Sequence, residues 1–190
     1  MEKLNIVIAD DEAIIRLDLK EMLTSAGHKV IGEASTGRQA LKLVQQKKPD
    51  LVIMDVKMPD LDGLAAAKKI HDDDIAPVML LTAFSQAEFI ERAKKAGVLA
   101  YLVKPVQESN LFPAVEIAVS RWREIKNLEA ELGKLKENLE GRKMLDRARG
   151  IIMDTYGLSE AEAYKKIQQY SMKKHKSIKE IAEEIITAST

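Results

Sequence analysis

Short branched apolar runs alternate along the chain with longer stretches whose apolar positions recur every three to four residues. Leu4–Ala9 is a continuous apolar run apart from Asn5, and it stops at Asp10-Asp11. That is how a strand buried on both faces of a parallel sheet reads. Ile14, Ile15, Leu17, Leu19, Met22 and Leu23 then keep a helical period until Gly27. The alternation repeats: strand Val30–Ala34, a helix through Ala40 and Val44, strand Leu51–Met54, a helix from Leu64 to Ile70, strand Val78–Leu81, a helix from Phe89 to Ala96, strand Leu99–Val103, and a fifth helix from Leu111. Five apolar strands, each followed by an amphipathic helix, predict an α/β fold, a doubly wound parallel sheet, whose first, third and fourth strands are central neighbours if the order is the flavodoxin-like 2-1-3-4-5.

Beyond Val106 the pattern stays helical. Ile125, Leu128, Leu132, Leu135 and Leu139 alternate spacings of three and four, the a/d seam of a coiled coil. A surface helix packed on the preceding domain is the competing reading. Gly133 and Gly141 allow a hinge there as readily as an unbroken helix. Three helices follow. Met144, Leu145, Ala148, Ile151 and Ile152 mark the first, Ser159 and Glu162 form the capping box of the second, and Ser177 caps a third running from Ile178 to Ile186. The expected division is residues 1–120 for the sheet domain, 121–140 for a helical connector, and 141–190 for a small helical domain.

Composition narrows the field. Hydrophobic residues are 46 % and aromatics only 4 %, so the cores are aliphatic. The absence of cysteine excludes disulfides, thiolate metal sites and cysteine nucleophiles. Charge arrives too early for a signal peptide, and no apolar run approaches the roughly 20 residues of a membrane span. The expectation is a soluble, cytoplasmic chain with no membrane partner. The zero net charge hides a gradient, −3 over residues 1–118 and +3 over residues 141–190.

Ligands of open parallel sheets sit outside the carboxyl ends of the strands. There this chain places Asp10 and Asp11 after the first strand, Asp55 on the third, Thr82 on the fourth and Lys104 after the fifth. A single aspartate at a strand end is ordinarily a helix cap. The whole set on one edge is harder to explain that way. Clustered carboxylates repel unless a cation joins them, and an all-oxygen site suits Mg²⁺. One aspartate oxygen then remains as a nucleophile, with Lys104 and Thr82 able to hold the oxygens of a transferred phosphoryl group.

Asp10-Asp11-Glu12, the segment Leu51 to Gly63, Leu81-Thr82-Ala83 and Val103-Lys104-Pro105 resemble the receiver domains of two-component systems. The resemblance implies that Asp55 is the phosphoacceptor for a sensor histidine kinase. It implies that Asp10, Asp11, Asp55 and the backbone carbonyl of Lys57 hold Mg²⁺, and that Lys104-Pro105 is a cis peptide. Thr82 and Tyr101 take the places of the family's switch pair. Lys57 and Ala83 flank the acceptor, where they would set the lifetime of the phosphoryl group.

The last 50 or so residues hold basic side chains in patches: Arg142, Lys143, Arg147 and Arg149, then Lys165 and Lys166, then Lys173, Lys174 and Lys176. Tyr156, Tyr164 and Tyr170 are candidate stacking platforms for unpaired bases. A solvated basic face over a core containing the tyrosines fits the composition equally. Arg147 to Met153, Tyr156 to Tyr164 and Ile178 to Ile186 resemble the ANTAR domain, a family of RNA-binding antiterminators, with Ser171 where that family usually has alanine. The resemblance implies binding to paired stem-loops in leader transcripts, hence a homodimer in the active state. No nucleophile–base pair marks the C-terminal half, so a regulator rather than an enzyme is expected. The alternatives are a helix-turn-helix that binds DNA, disfavoured by Glu180, Glu183 and Glu184 on the last helix, or a protein-binding output.

Overall fold

The computed structural model describes residues 2–83 and 87–189, with 87–90 as backbone only. The chain divides into two compact units, Met1–Lys126 and Asn127–Thr190. In the first, β1 (Asn5–Ala9), α1 (Ala13–Ser25), β2 (Lys29–Ala34), α2 (Gly37–Lys47), β3 (Leu51–Asp55), α3 (Gly63–Asp72), β4 (Val78–Thr82), α4 (Ala87–Lys95) and β5 (Ala100–Val103) follow one another as expected. The five strands pair in parallel in the order β2-β1-β3-β4-β5.

Side chains along a strand alternate between faces, so each central strand feeds two cores. Val7, Ala9, Val52, Met54, Val78 and Leu80 pack under Ala40 and Val44 of α2, Ala66, Ala67 and Ile70 of α3, and Ala93 of α4. On the opposite face Ile6, Ile8, Leu51, Ile53, Met79 and Leu81 meet Leu19 and Leu23 of α1 and Leu111, Val115 and Ala118 of the next helix. Each such fully buried aliphatic side chain contributes about 1.5–3 kcal/mol relative to exposure. β3 and β4 are buried at every position, which is why their sequences show no alternation.

The fifth helix, the connector and the first C-terminal helix, between which the sequence allowed either a hinge or an unbroken helix, are one element: α5 (Glu108–Tyr156). Gly133 and Gly141 lie inside it, with open space where a side chain would be. Each glycine costs a helix about 1 kcal/mol relative to alanine, too little to break one flanked by leucine, lysine and glutamate. α6 (Glu160–Lys174) and α7 (Ile178–Ala188) complete the second unit. Its core is Ala148, Ile152, Ala163, Ile167, Ile181 and Ala182. Both short helices open with capping boxes, Ser159 with Glu162 and Ser177 with Glu180. α6 closes on His175 in the left-handed conformation, where Ser171 Oγ donates to the Lys176 carbonyl. The serine at this position therefore supports the helix end.

His28 is buried at the foot of the sheet, and the Leu4 N–H donates to its Nδ1 at 3.4 Å. Burial holds its pKa below the ordinary 6.5, with Glu116 opposing. The folded protein therefore favours neutral imidazole, while the unfolded chain takes up a proton near pH 6.5. Stability is full above that pH and declines as the pH falls below it. Urea midpoints measured across pH 5 to 8 should show this slope, and His28→Gln should flatten it.

Candidate functional site

The strand order brings the carboxyl ends of β1, β3, β4 and β5 side by side. β3 pairs through Asp55 with Leu81, β4 through Thr82 with Val103, and β1 through Ala9 with Met54. The Lys104 N–H donates to the Thr82 carbonyl at 2.8 Å, extending the β4–β5 ladder by one residue. Lys104-Pro105 is cis.

Asp10, Asp55 and Thr82 are buried, at 0 %, 6 % and 1 % exposure. Lys104 Nζ reaches across them, 2.7 Å from Asp10 Oδ2, 3.2 Å from Asp55 Oδ1 and 3.8 Å from Glu12 Oε1. Carboxylate oxygens of Asp10, Asp11 and Asp55 lie within 4.8 Å of one another, Asp11 being the exposed member. Asp10 Oδ1 accepts from the Glu12 N–H at 3.0 Å, whereas Asp10 Oδ2 takes no aligned hydrogen bond and has the ammonium as its charge partner.

Burial pushes the Asp55 carboxyl above its ordinary range; Lys104 pulls it down and Asp10 pushes it up again. For Lys104 burial favours the neutral amine, but Asp10 and Asp55 together outweigh it and hold the ammonium more firmly than usual. The pocket thus concentrates negative charge around one cation. A buried carboxylate oxygen without an aligned donor, set among hard oxygen ligands, suits a small divalent cation such as Mg²⁺.

Two supporting residues escaped the sequence reading. Arg16 Nη1 donates to the carbonyls of Asp10 at 2.7 Å and Asp11 at 3.3 Å, tying α1 to the acidic loop. An arginine one turn into the helix after a double aspartate was the available signal. Gly63 N–H donates to the Val56 carbonyl, and a Cβ on Gly63 would lie 1.9 Å from the Asp55 carbonyl oxygen. A cleft of about 560 Å³ opens beside this loop, lined by Asp11, Lys57, Met58, Asp62 and Arg92 among others. Tyr101 stands half-exposed, 39 %, on β5.

In the second unit the structure distributes the basic residues. On α5, Lys143 and Arg147 are one turn apart on one flank, and Arg142 and Arg149, seven apart, share another. Arg149 is engaged by Asp146 at 2.7 Å and Glu160 at 2.9 Å. Lys174 and Lys176 both pair with Glu184. Lys166 lies 3.7 Å over the Tyr156 ring. Among the described residues Arg142, Lys143, Arg147, Lys165 and Lys173 form no ion pair. Tyr156, Tyr164 and Tyr170 are all exposed rather than core.

Residues 6–116 match the response regulator receiver domain family, and residues 133–186 match the ANTAR domain family. The chain belongs to the response regulators. It is 50 % identical to the transcriptional regulatory protein PdtaR of Mycobacterium tuberculosis, over 95 % of this chain and 88 % of that protein. It is 39 % identical to the chemotaxis protein CheY of Thermotoga maritima, over 58 % of this chain and 92 % of that one. The signal receiver domain of the putative response regulator NarL from Mycobacterium tuberculosis superposes with a TM-score of 0.60 at 27 % identity, covering 63 % of this chain and 98 % of that domain. This response regulator is thus a two-component, non-enzymatic regulator with an ANTAR output domain. No helix among the described residues is long and apolar enough to cross a membrane.

The Gly63 contact gives a paired expectation. Gly63→Ala must push the Asp55 backbone aside and should lower stability by about 1–3 kcal/mol in urea denaturation. Gly133→Ala, in open space on a helix, should instead raise it by about 0.5–1 kcal/mol.

Proposed function

We propose that Asp55 accepts a phosphoryl group from a sensor histidine kinase, and that the phosphorylated chain dimerises and binds paired RNA stem-loops in leader transcripts, preventing transcription termination. The observation that carries the phosphorylation half is Lys104 held between two buried carboxylates, Asp10 and Asp55, at the strand edge. An Asp55 oxygen forms a P–O bond as the P–N bond to the kinase's histidine breaks, the electron pair returning to the imidazole. Lys104 then pairs with a phosphoryl oxygen, and Thr82 donates its hydroxyl to another. Asp10, Asp11, Asp55 and the Lys57 carbonyl would hold Mg²⁺, whose charge offsets that of the incoming group. Tyr101, exposed beside Thr82's strand, reports the change by turning inward.

The receiver takes in residues 1–120, the connector 121–140 and the RNA-binding domain 141–190. The ANTAR match supports RNA as the ligand. Arg142, Lys143, Arg147, Arg149, Lys165, Lys166, Lys173, Lys174 and Lys176 supply phosphate contacts, with Tyr164 as a stacking ring. Dimerisation rests on Ile125, Leu128, Leu132, Leu135 and Leu139, each 40 % exposed or more along one stripe of α5. Pairing two chains makes the second RNA contact intramolecular, which raises effective affinity.

Treatment with a phosphoryl donor and Mg²⁺ should tighten binding to a pool of leader stem-loops, and the effect should vanish in Asp55→Ala. Leu132→Glu with Leu135→Glu should abolish the dimer in sedimentation and lower RNA affinity by roughly 10²-fold or more. Binding to duplex DNA in preference to RNA would remove the antiterminator reading and leave the receiver chemistry standing.

A further inference from the structure

The C-terminal unit encloses a groove of about 450 Å³ between the end of α5, α6 and α7. Its floor is aliphatic, with Ile152, Ile167 and Ile181 buried beneath it. Tyr156 and Tyr170 also line it and keep 60 % and 50 % of their surface exposed. Tyrosine rings that served only as core would be covered. Here they border an open cleft near the end of α7, where Ala188 and Ser189 are too short to close it.

Charge is arranged around the same opening. Lys166, 3.7 Å over the Tyr156 ring, and Lys174 both line the groove. Glu184 lines it as well and accepts from Lys174 at 3.2 Å and from Lys176. The groove therefore offers an apolar bed, aromatic rings, cations and one carboxylate within a single cleft.

We infer that this groove takes one unpaired nucleobase of an RNA loop together with its flanking phosphate. The inference rests on the RNA-binding reading above and specifies where a base enters. A flat base needs cover on its face, which the half-buried Ile151 and Ile185 and the tyrosine rings supply. Its phosphate needs a cation, which Lys166 supplies, Lys174 being held by Glu184. The Glu184 carboxylate accepts hydrogen bonds and donates none, so it meets the amino and imino edges of a base. An apolar peptide helix would leave Lys166 without an anion, whereas a nucleotide brings one. Tyr164, by contrast, does not line the groove, so the three tyrosines are not equivalent.

The test uses the full chain, activated with a phosphoryl donor and Mg²⁺. Binding is measured to RNA stem-loops with randomised loops, to a fully paired RNA duplex, and to free nucleoside monophosphates. Tyr170→Ala and Tyr156→Ala should each weaken stem-loop binding by about tenfold. Tyr170→Phe, which keeps the ring, should retain it, and duplex binding should be unchanged in all three. Helical circular dichroism and thermal midpoints confirm that the variants fold, and Lys166→Gln provides a second probe, expected to weaken stem-loop binding. Stem-loop binding that survives both alanine variants overturns the groove while leaving RNA binding intact. Equal losses for stem-loop and duplex also overturn it. Free monophosphates binding as tightly as stem-loops would make the groove a nucleotide site instead. A wild-type chain that binds no stem-loop sinks this inference and the RNA reading together.

Discussion

Asp10 and Asp55 are buried side by side at the edge of a parallel sheet, and the ammonium of Lys104 stands between them. Removing two carboxylates from water is costly, and a single cation offsets only part of that cost. The pocket is consequently under electrostatic tension, with one Asp10 oxygen lacking an aligned donor and the Asp55 carboxyl pushed upward by burial. Everything around it serves to hold that arrangement. The β1-β3-β4-β5 adjacency places the four residues, the Lys104 N–H bond to Thr82 anchors the lysine, and Arg16 clasps the acidic loop. The two aliphatic cores make the sheet rigid enough to keep like charges together.

On the proposed reading, the same tension is what a phosphoryl group on Asp55 would relieve. Lys104 bridges the two carboxylates, so converting Asp55 to an acyl phosphate would make the ammonium redistribute its contacts. Thr82 is buried on the neighbouring strand, where its carbonyl accepts from the Lys104 N–H. In the proposed switch the reorganisation would run along β4 and β5, where Tyr101 stands half-exposed.

The C-terminal unit is governed by a different balance. Four of its basic side chains are held by carboxylates: Arg149 by Asp146 and Glu160, Lys174 and Lys176 by Glu184, and Lys179 by Glu137. Its charge surplus is small, so recognition by charge alone would be weak and salt-sensitive. Exposed rings and an aliphatic cleft add contacts that salt does not screen. Along α5 the exposed leucine stripe is a separate liability, one that a second copy of the same helix would relieve.

Much of this was legible in the chain. The five strands and the strand-end set Asp10, Asp11, Asp55, Thr82 and Lys104 follow from local hydrophobic pattern and from a topological rule that needs no coordinates, while the strand order came with the receiver resemblance. The capping box at Ser159 and the cap at Ser177 were readable because such partners lie within one turn. Arg16 and Gly63 were not, because their roles come from backbone approaches that spacing does not record. Nor did the pattern decide between a hinge and an unbroken α5, since the cost of an exposed glycine is comparable to the gain from its neighbours. The sequence by itself determined which residues are apolar, which are charged and how they alternate, and these are local properties of the chain. Only the tertiary structure decided which charges neutralise one another and which tyrosines border a cleft, because both depend on contacts between residues brought together by packing.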